Sequence, residues 1–121
     1  MLDHLGLRTK QFDALTAFYE KALAPLGCKK LMAFPGAAGF GRDAPTLWIG
    51  ESAHPTSSIH LAIKALDRAS VDAFYAAAIA AGAKDNGPPG PRDYTPDYYG
   101  AFVIDPDGNN LEAVVASAPA Q

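Results

Sequence analysis

The chain has a single cysteine, Cys28, so no disulfide can form within it. A reducing, cytoplasmic setting is the simplest expectation for such a chain. Cys28 has no second cysteine or histidine motif around it and reads as a small strand residue. No apolar run approaches the roughly 20 residues that a membrane span needs. The first residues, Met1-Leu2-Asp3-His4, lack the basic and then apolar pattern of a signal peptide, and no leader is expected. Basic runs and stripes are also missing. With a net charge of −3 and a pI near 5.4, nucleic acid is an unsuitable partner. What is present is apolar content of 49%, enough for a real core in 121 residues.

An internal repeat organises that content. His4-Leu5-Gly6-Leu7 aligns with His60-Leu61-Ala62-Ile63, Ala17-Phe18-Tyr19 with Ala73-Phe74-Tyr75, and Leu23 with Ile79. All three share one offset of 56 residues, which chance does not readily produce. In the first copy, residues 2–9 alternate as a strand. Phe12, Leu15, Phe18, Tyr19, Ala22 and Leu23 then recur at helical spacing, and Pro25 and Gly27 stop the helix. Three short strands follow at 29–34, 38–42 and 46–50, separated by Pro35-Gly36 and Asp43-Ala44-Pro45.

The second copy opens with a strand at 58–65. A helix follows, carrying Val71, Phe74, Tyr75, Ala78 and Ile79, with Asp67 or Ser70 as cap and Gly82 at its end. Residues 83–85 form a stub of strand and 86–96 a long loop. Strands at 98–104 and 109–115 flank the turn Asp105-Pro106-Asp107-Gly108, and 117–121 reads as a tail. The expected fold is therefore α+β: one βαβββ module over residues 1–53 and a second over 57–116. A module of roughly 55 residues is marginal alone, so the two should share a core while their curved mixed sheets frame a cleft.

Three segments carry a family resemblance: Asp3-His4-Leu5-Gly6-Leu7, the Phe18-Tyr19 pair with Leu26-Gly27, and the hairpin Phe102-Val103-Ile104-Asp105-Pro106-Asp107-Gly108-Asn109-Asn110-Leu111-Glu112. With the element order, they make residues 2–115 resemble the vicinal oxygen chelate superfamily of glyoxalase I, bleomycin-resistance proteins and extradiol dioxygenases. Residues 92–99 further resemble an uncharacterised bacterial glyoxalase-like subgroup. The resemblance implies a metal cleft whose ligands come from the first and last strands of each module. Carried over by position, these are His4, His60 and Glu112. At the fourth position Trp48 or a neighbour stands where glyoxalase I would have a carboxylate. The resemblance also implies a homodimer, whose clefts can combine module one of one chain with module two of the other.

Two histidines and one carboxylate suit Fe, Mn, Ni or Zn with open coordination positions. A substrate with two neighbouring oxygens could chelate such an ion, which would polarise them and stabilise an enediolate or bound dioxygen. Glu112 would then be ligand, base or both. With one carboxylate, the set matches extradiol dioxygenases by count. The missing fourth ligand equally suits a metal-free protein of the bleomycin-resistance type that sequesters a small molecule. Arg8 shares the face of His4, with Gly6 between, and is placed to bind a substrate carboxylate. Lys64 shares the face of His60; Asn110 and Val114 share that of Glu112. Trp48 can stack on a planar ligand or fill core. In the loop 92–99, Tyr94 and Tyr99 are the expected substrate-binding residues. His54 lies in the linker and reads as an exposed loop residue.

Overall fold

Phe12–Leu23 forms helix α1 in the computed structural model, which describes residues 1–116. Its buried residues Leu15, Phe18, Tyr19, Ala22 and Leu23 lie on one stripe, as the spacing requires. No side chain caps it at Gln11; the Thr9 hydroxyl takes the Gln11 N–H instead, at 3.0 Å. Pro25 turns the chain into a short 3-10 turn, Ala24–Leu26, and Gly27 ends it with φ +78°. Helix α2, Arg68–Ala80, is capped by Asp67, whose carboxylate accepts the Ser70 N–H at 2.8 Å. It buries Val71, Phe74 and Ala78.

The strands are β1 (Leu5–Thr9), β2 (Lys29–Phe34), β3 (Ala37–Gly41), β4 (Leu47–Glu51), β5 (His60–Lys64), β6 (Lys84–Asp85), β7 (Gly90–Pro91), β8 (Tyr99–Ile104) and β9 (Asn110–Val115). They make two open, curved mixed sheets, one ordered β1-β4-β3-β2 and the other β5-β9-β8-β6, with β7 also on β8. In each sheet the first strand of the module pairs in parallel with the last. The fold is α+β, two βαβββ modules, as expected.

Three local differences have physical causes. The β1 ladder starts when the Leu5 N–H reaches the Thr46 carbonyl at 2.8 Å, so residues 2–4, including His4, precede the strand. A bulge between Lys30 and Met32 shifts the β2 register against β3. The loop expected at 86–96 contributes the two-residue strand β7 to the edge of the second sheet. The tail reading at 117–121 falls outside the described residues.

One core runs through both modules, joining Leu7, Phe18, Tyr19 and Phe40 to Val71, Phe74, Val103 and Leu111. The helices pack on each other within it. Polar ties cross the same junction. The Tyr19 hydroxyl donates to Asp105 Oδ2 at 2.6 Å, and Gln11 Nε2 donates to the Pro106 carbonyl at 3.1 Å and to Asp107 Oδ1. Arg42, held within the first module by its Nε bond to the Leu26 carbonyl at 2.9 Å, crosses with Nη2 to the Lys64 carbonyl. Because strand residues alternate, the helix side takes Leu7, Leu61, Ile63, Leu111 and Ala113. The opposite faces carry Gly6, Arg8 and Trp48 in one sheet, and His60, Ala62 and Glu112 in the other.

Candidate functional site

The parallel pairing of β5 with β9 sets Ala62 opposite Glu112 and His60 opposite Asn110. His60 and Glu112 thus share a face with one residue pair between them, and they meet: His60 Nε2 lies 2.8 Å from Glu112 Oε1. Glu112 is 1% exposed, while the His60 side chain is 54% exposed. A carboxylate so deeply buried is costly unless its oxygens are bonded. Here both are, because the Tyr98 hydroxyl donates to Oε2. Burial, then the bond to Glu112 and its charge, push the Tyr98 hydroxyl up to about 12. It is therefore a protonated donor at neutral pH.

The segment before β8 builds the wall of this site. Arg92 donates to the carbonyls of Pro88, Gly90 and Pro91 at 2.8–3.2 Å, and its guanidinium lies 5.3 Å over the Phe102 ring. The Arg92 N–H also binds the Tyr98 carbonyl at 3.0 Å. Phe102 pairs with Glu112 across the hairpin, and its ring centre is 6.1 Å from that of His60.

The first sheet holds a different chemistry at the matching place. Gly6 pairs with Trp48 as Ala62 pairs with Glu112, and Gly6 maps onto Ala62 through the repeat. Trp48 therefore stands in the register position of Glu112. It is half-buried and stacks on Phe34, ring centres 6.4 Å apart and planes 17° off parallel. Phe34 and Met32 beside it are exposed.

The other expected site residues are spread more widely. His4 is 58% exposed, with Nδ1 2.7 Å from Asp3 Oδ1. Among the described residues no three of His, Cys, Asp and Glu gather as a metal cluster, so His4 does not join His60 and Glu112 within one chain. Arg8 lies on the exposed face of β1, its backbone bound to Thr56. Tyr94 is exposed and meets Tyr98 edge-on at 5.0 Å. Tyr99 faces the helix layer instead. Its hydroxyl donates to Asp72 of α2 at 2.7 Å and Arg68 lies 4.8 Å over its ring, so it ties sheet to helix. His54 is exposed, its N–H bound to Ser52 Oγ. Burial pushes the Cys28 thiol up, partly offset by Arg42, which leaves a protonated, weakly reactive side chain.

The family model of the Glyoxalase/Bleomycin resistance protein/Dioxygenase superfamily matches residues 1–113. The chain belongs to this superfamily. No curated protein matches it in sequence. Among solved structures it is similar to a glyoxalase/bleomycin resistance protein from Albidiferax ferrireducens. That pair shares 28% identity and a TM-score of 0.82, covering 95% of this chain and 98% of the other. It is also similar to a glyoxalase/bleomycin resistance protein/dioxygenase family enzyme from Burkholderia phytofirmans, at 22% identity and TM-score 0.74, over 93% and 96% of the two chains. A glyoxalase I mutant from Zea mays shares the fold at 20% identity and TM-score 0.73, over 97% of this chain and 46% of that one.

Superfamily members often use divalent metals, and the donor atoms here can be tested against one. Two ligands at right angles on an ion with bonds of about 2.0–2.2 Å stand about 2.8–3.1 Å apart. The 2.8 Å hydrogen bond between His60 Nε2 and Glu112 Oε1 is at the short end of that spacing, and imidazole with carboxylate fits the chemistry. One chain offers this pair and no third His, Cys, Asp or Glu beside it among the described residues.

Tyr98, Arg92 and Gly100 belong to this site and were not singled out in the sequence. Parity was the available signal. If Phe102 faces Glu112 across a hairpin, then Gly100 and Tyr98 share that face and Tyr99 does not.

Proposed function

We propose that this superfamily member is a small-molecule-binding, metal-dependent enzyme of lyase, isomerase or dioxygenase type, acting on a substrate with vicinal oxygens. The observation that supports the reading is the hydrogen-bonded His60–Glu112 pair, close enough for both to reach one ion and walled by Phe102 and Tyr98. In this reading the working form is a cytoplasmic homodimer. His60 and Glu112 of one chain face His4 of the partner subunit across a shared cleft, which answers why His4 stands apart within one chain. Bound Fe, Mn, Ni or Zn would supply Lewis-acid polarisation of two adjacent oxygens. Glu112 is the catalytic carboxylate, its Oε1 turned to the site while Oε2 stays with Tyr98. Arg8 presents a cation to a substrate carboxylate. Trp48, backed by Phe34, offers a flat surface to the substrate, and Tyr94 closes over its edge.

The deciding experiment reconstitutes metal-stripped protein with each of the four ions and measures bound metal per chain. Wild type should retain one ion, and His60→Ala and Glu112→Gln should retain almost none. No metal above background with any ion would sink the reading. One observation favours a second reading in that event. Trp48 and Phe34 replace a fourth ligand with a stacked aromatic surface, as suits a metal-free protein that sequesters a small molecule.

A further inference from the structure

We infer that Tyr98 is a positioning residue, which takes one oxygen of Glu112 and so commits the other to His60. The inference rests on the reading of His60 and Glu112 as the chemical centre.

Glu112 has two oxygens and, in a parallel pair with β5, only one of them lies beside His60. A carboxylate free at its second oxygen can rotate about its last bond, exchange oxygens, or bind an ion through both. Tyr98 removes those options. Its hydroxyl sits on Oε2, its ring meets that of Tyr94 edge-on, and its backbone carbonyl is held by the Arg92 N–H. Arg92 is itself fixed by three carbonyls and the Phe102 ring. The tyrosine thus stands on a braced loop and reaches inward to a buried acid.

Gly100 marks the path it takes. A methyl group at Gly100 would lie 3.3 Å from Glu112 Oε2 and 3.3 Å from Tyr98 Cε1. The backbone there needs no left-handed conformation. The absent side chain therefore serves the crossing of the Tyr98 ring to the carboxylate, and nothing in the turn chemistry requires it. Partners that orient a ligand from behind typically change metal affinity tenfold to a hundredfold when removed.

The test compares wild type, Tyr98→Phe and Gly100→Ala as full-length chains. Tyr98→Phe keeps the ring and loses only the hydroxyl. Gly100→Ala keeps the hydroxyl and displaces it by a few tenths of an ångström, so it serves if the first variant folds poorly. In metal-free protein, nitrogen-proton spectra of the imidazoles follow His60 Nε2. Both variants should shift or broaden that signal while their circular dichroism stays that of the wild type. A His60 signal unchanged in both overturns the inference. In a second arm, zinc titration should be tenfold to a hundredfold weaker in each variant, and equal affinity overturns it. Should wild type bind no zinc, the metal reading of the site falls, and the His60 signal alone decides the positioning role.

Discussion

Trp48 and Glu112 hold the same register position in the two sheets, one opposite Gly6 and the other opposite Ala62. The two sheets share the parallel pairing of first and last strand but differ in chemistry at this position. A buried acid stands on one side and a stacked indole on the other. Trp48→Glu should make the sheets alike. In a shared cleft it adds a carboxylate facing His60 and Glu112 of the partner subunit, and zinc affinity should rise, because a further anionic oxygen ligand fills an open position. It should also cost about 0.5–1.5 kcal/mol for the lost ring pair with Phe34, read by urea denaturation. A stability loss with no gain in affinity would separate the two faces.

The Tyr19–Asp105 bond predicts a pH-dependent clamp. Tyr19 lies on α1 of the first module and Asp105 in the last turn of the second. Tyr19→Phe leaves Asp105 Oδ2 with Asn109 alone and should cost about 1–3 kcal/mol. Burial first, then the Asp105 charge, raise the Tyr19 pKa above its usual value of 10.0. The folded state therefore favours the neutral hydroxyl. Its contribution is complete below pH 10 and declines above it, as the unfolded chain releases a proton that the folded chain keeps. Urea midpoints measured on either side of pH 10 should converge between wild type and Tyr19→Phe at the higher pH.

Much of this architecture was legible, for reasons that can be named. The helices carry apolar stripes and end on Gly27 and Gly82, and the 56-residue offset relates the modules. His60 and Glu112 were nominated by the family resemblance, which places ligands on the first and last strands of a module, and the two side chains stand 2.8 Å apart. What escaped depended on exact register. His4 falls outside β1 because the ladder begins one residue later. Tyr99 and Tyr98 are adjacent in sequence but opposite in direction, and only the Phe102–Glu112 pairing says which one faces the acid. Arg92 acts through carbonyls of its own loop, a role that residue type alone does not announce.

Two glycines should respond differently to the same substitution. A methyl group at Gly41 would overlap the Ala44 carbonyl oxygen, which belongs to backbone and cannot turn aside. Gly41→Ala should destabilise by at least about 1–3 kcal/mol, the range for overpacking. At Gly6 a methyl group meets nothing within 4 Å, so Gly6→Ala should change the urea midpoint hardly at all. Because Gly6 lies opposite Trp48, the same variant should still weaken any ligand or second copy that rests on that face.

The separation of His4 from Glu112 offers a direct test of a shared cleft. If each cleft joins module one of one chain to module two of the other, His4→Ala and Glu112→Gln each spoil both clefts of their own homodimer. Mixed after dissociation, the two variants form a heterodimer with one cleft carrying both lesions and one carrying neither. With random pairing in a two-fold dimer, about a quarter of wild-type zinc sites should return. A cleft built within one chain predicts a different result, since every chain in the mixture still carries its own lesion and no sites return. Counting bound zinc before and after mixing distinguishes the two arrangements without knowledge of the substrate. Sedimentation of the same samples should show dimers throughout; a monomer at micromolar concentration would remove the partner that His4 needs.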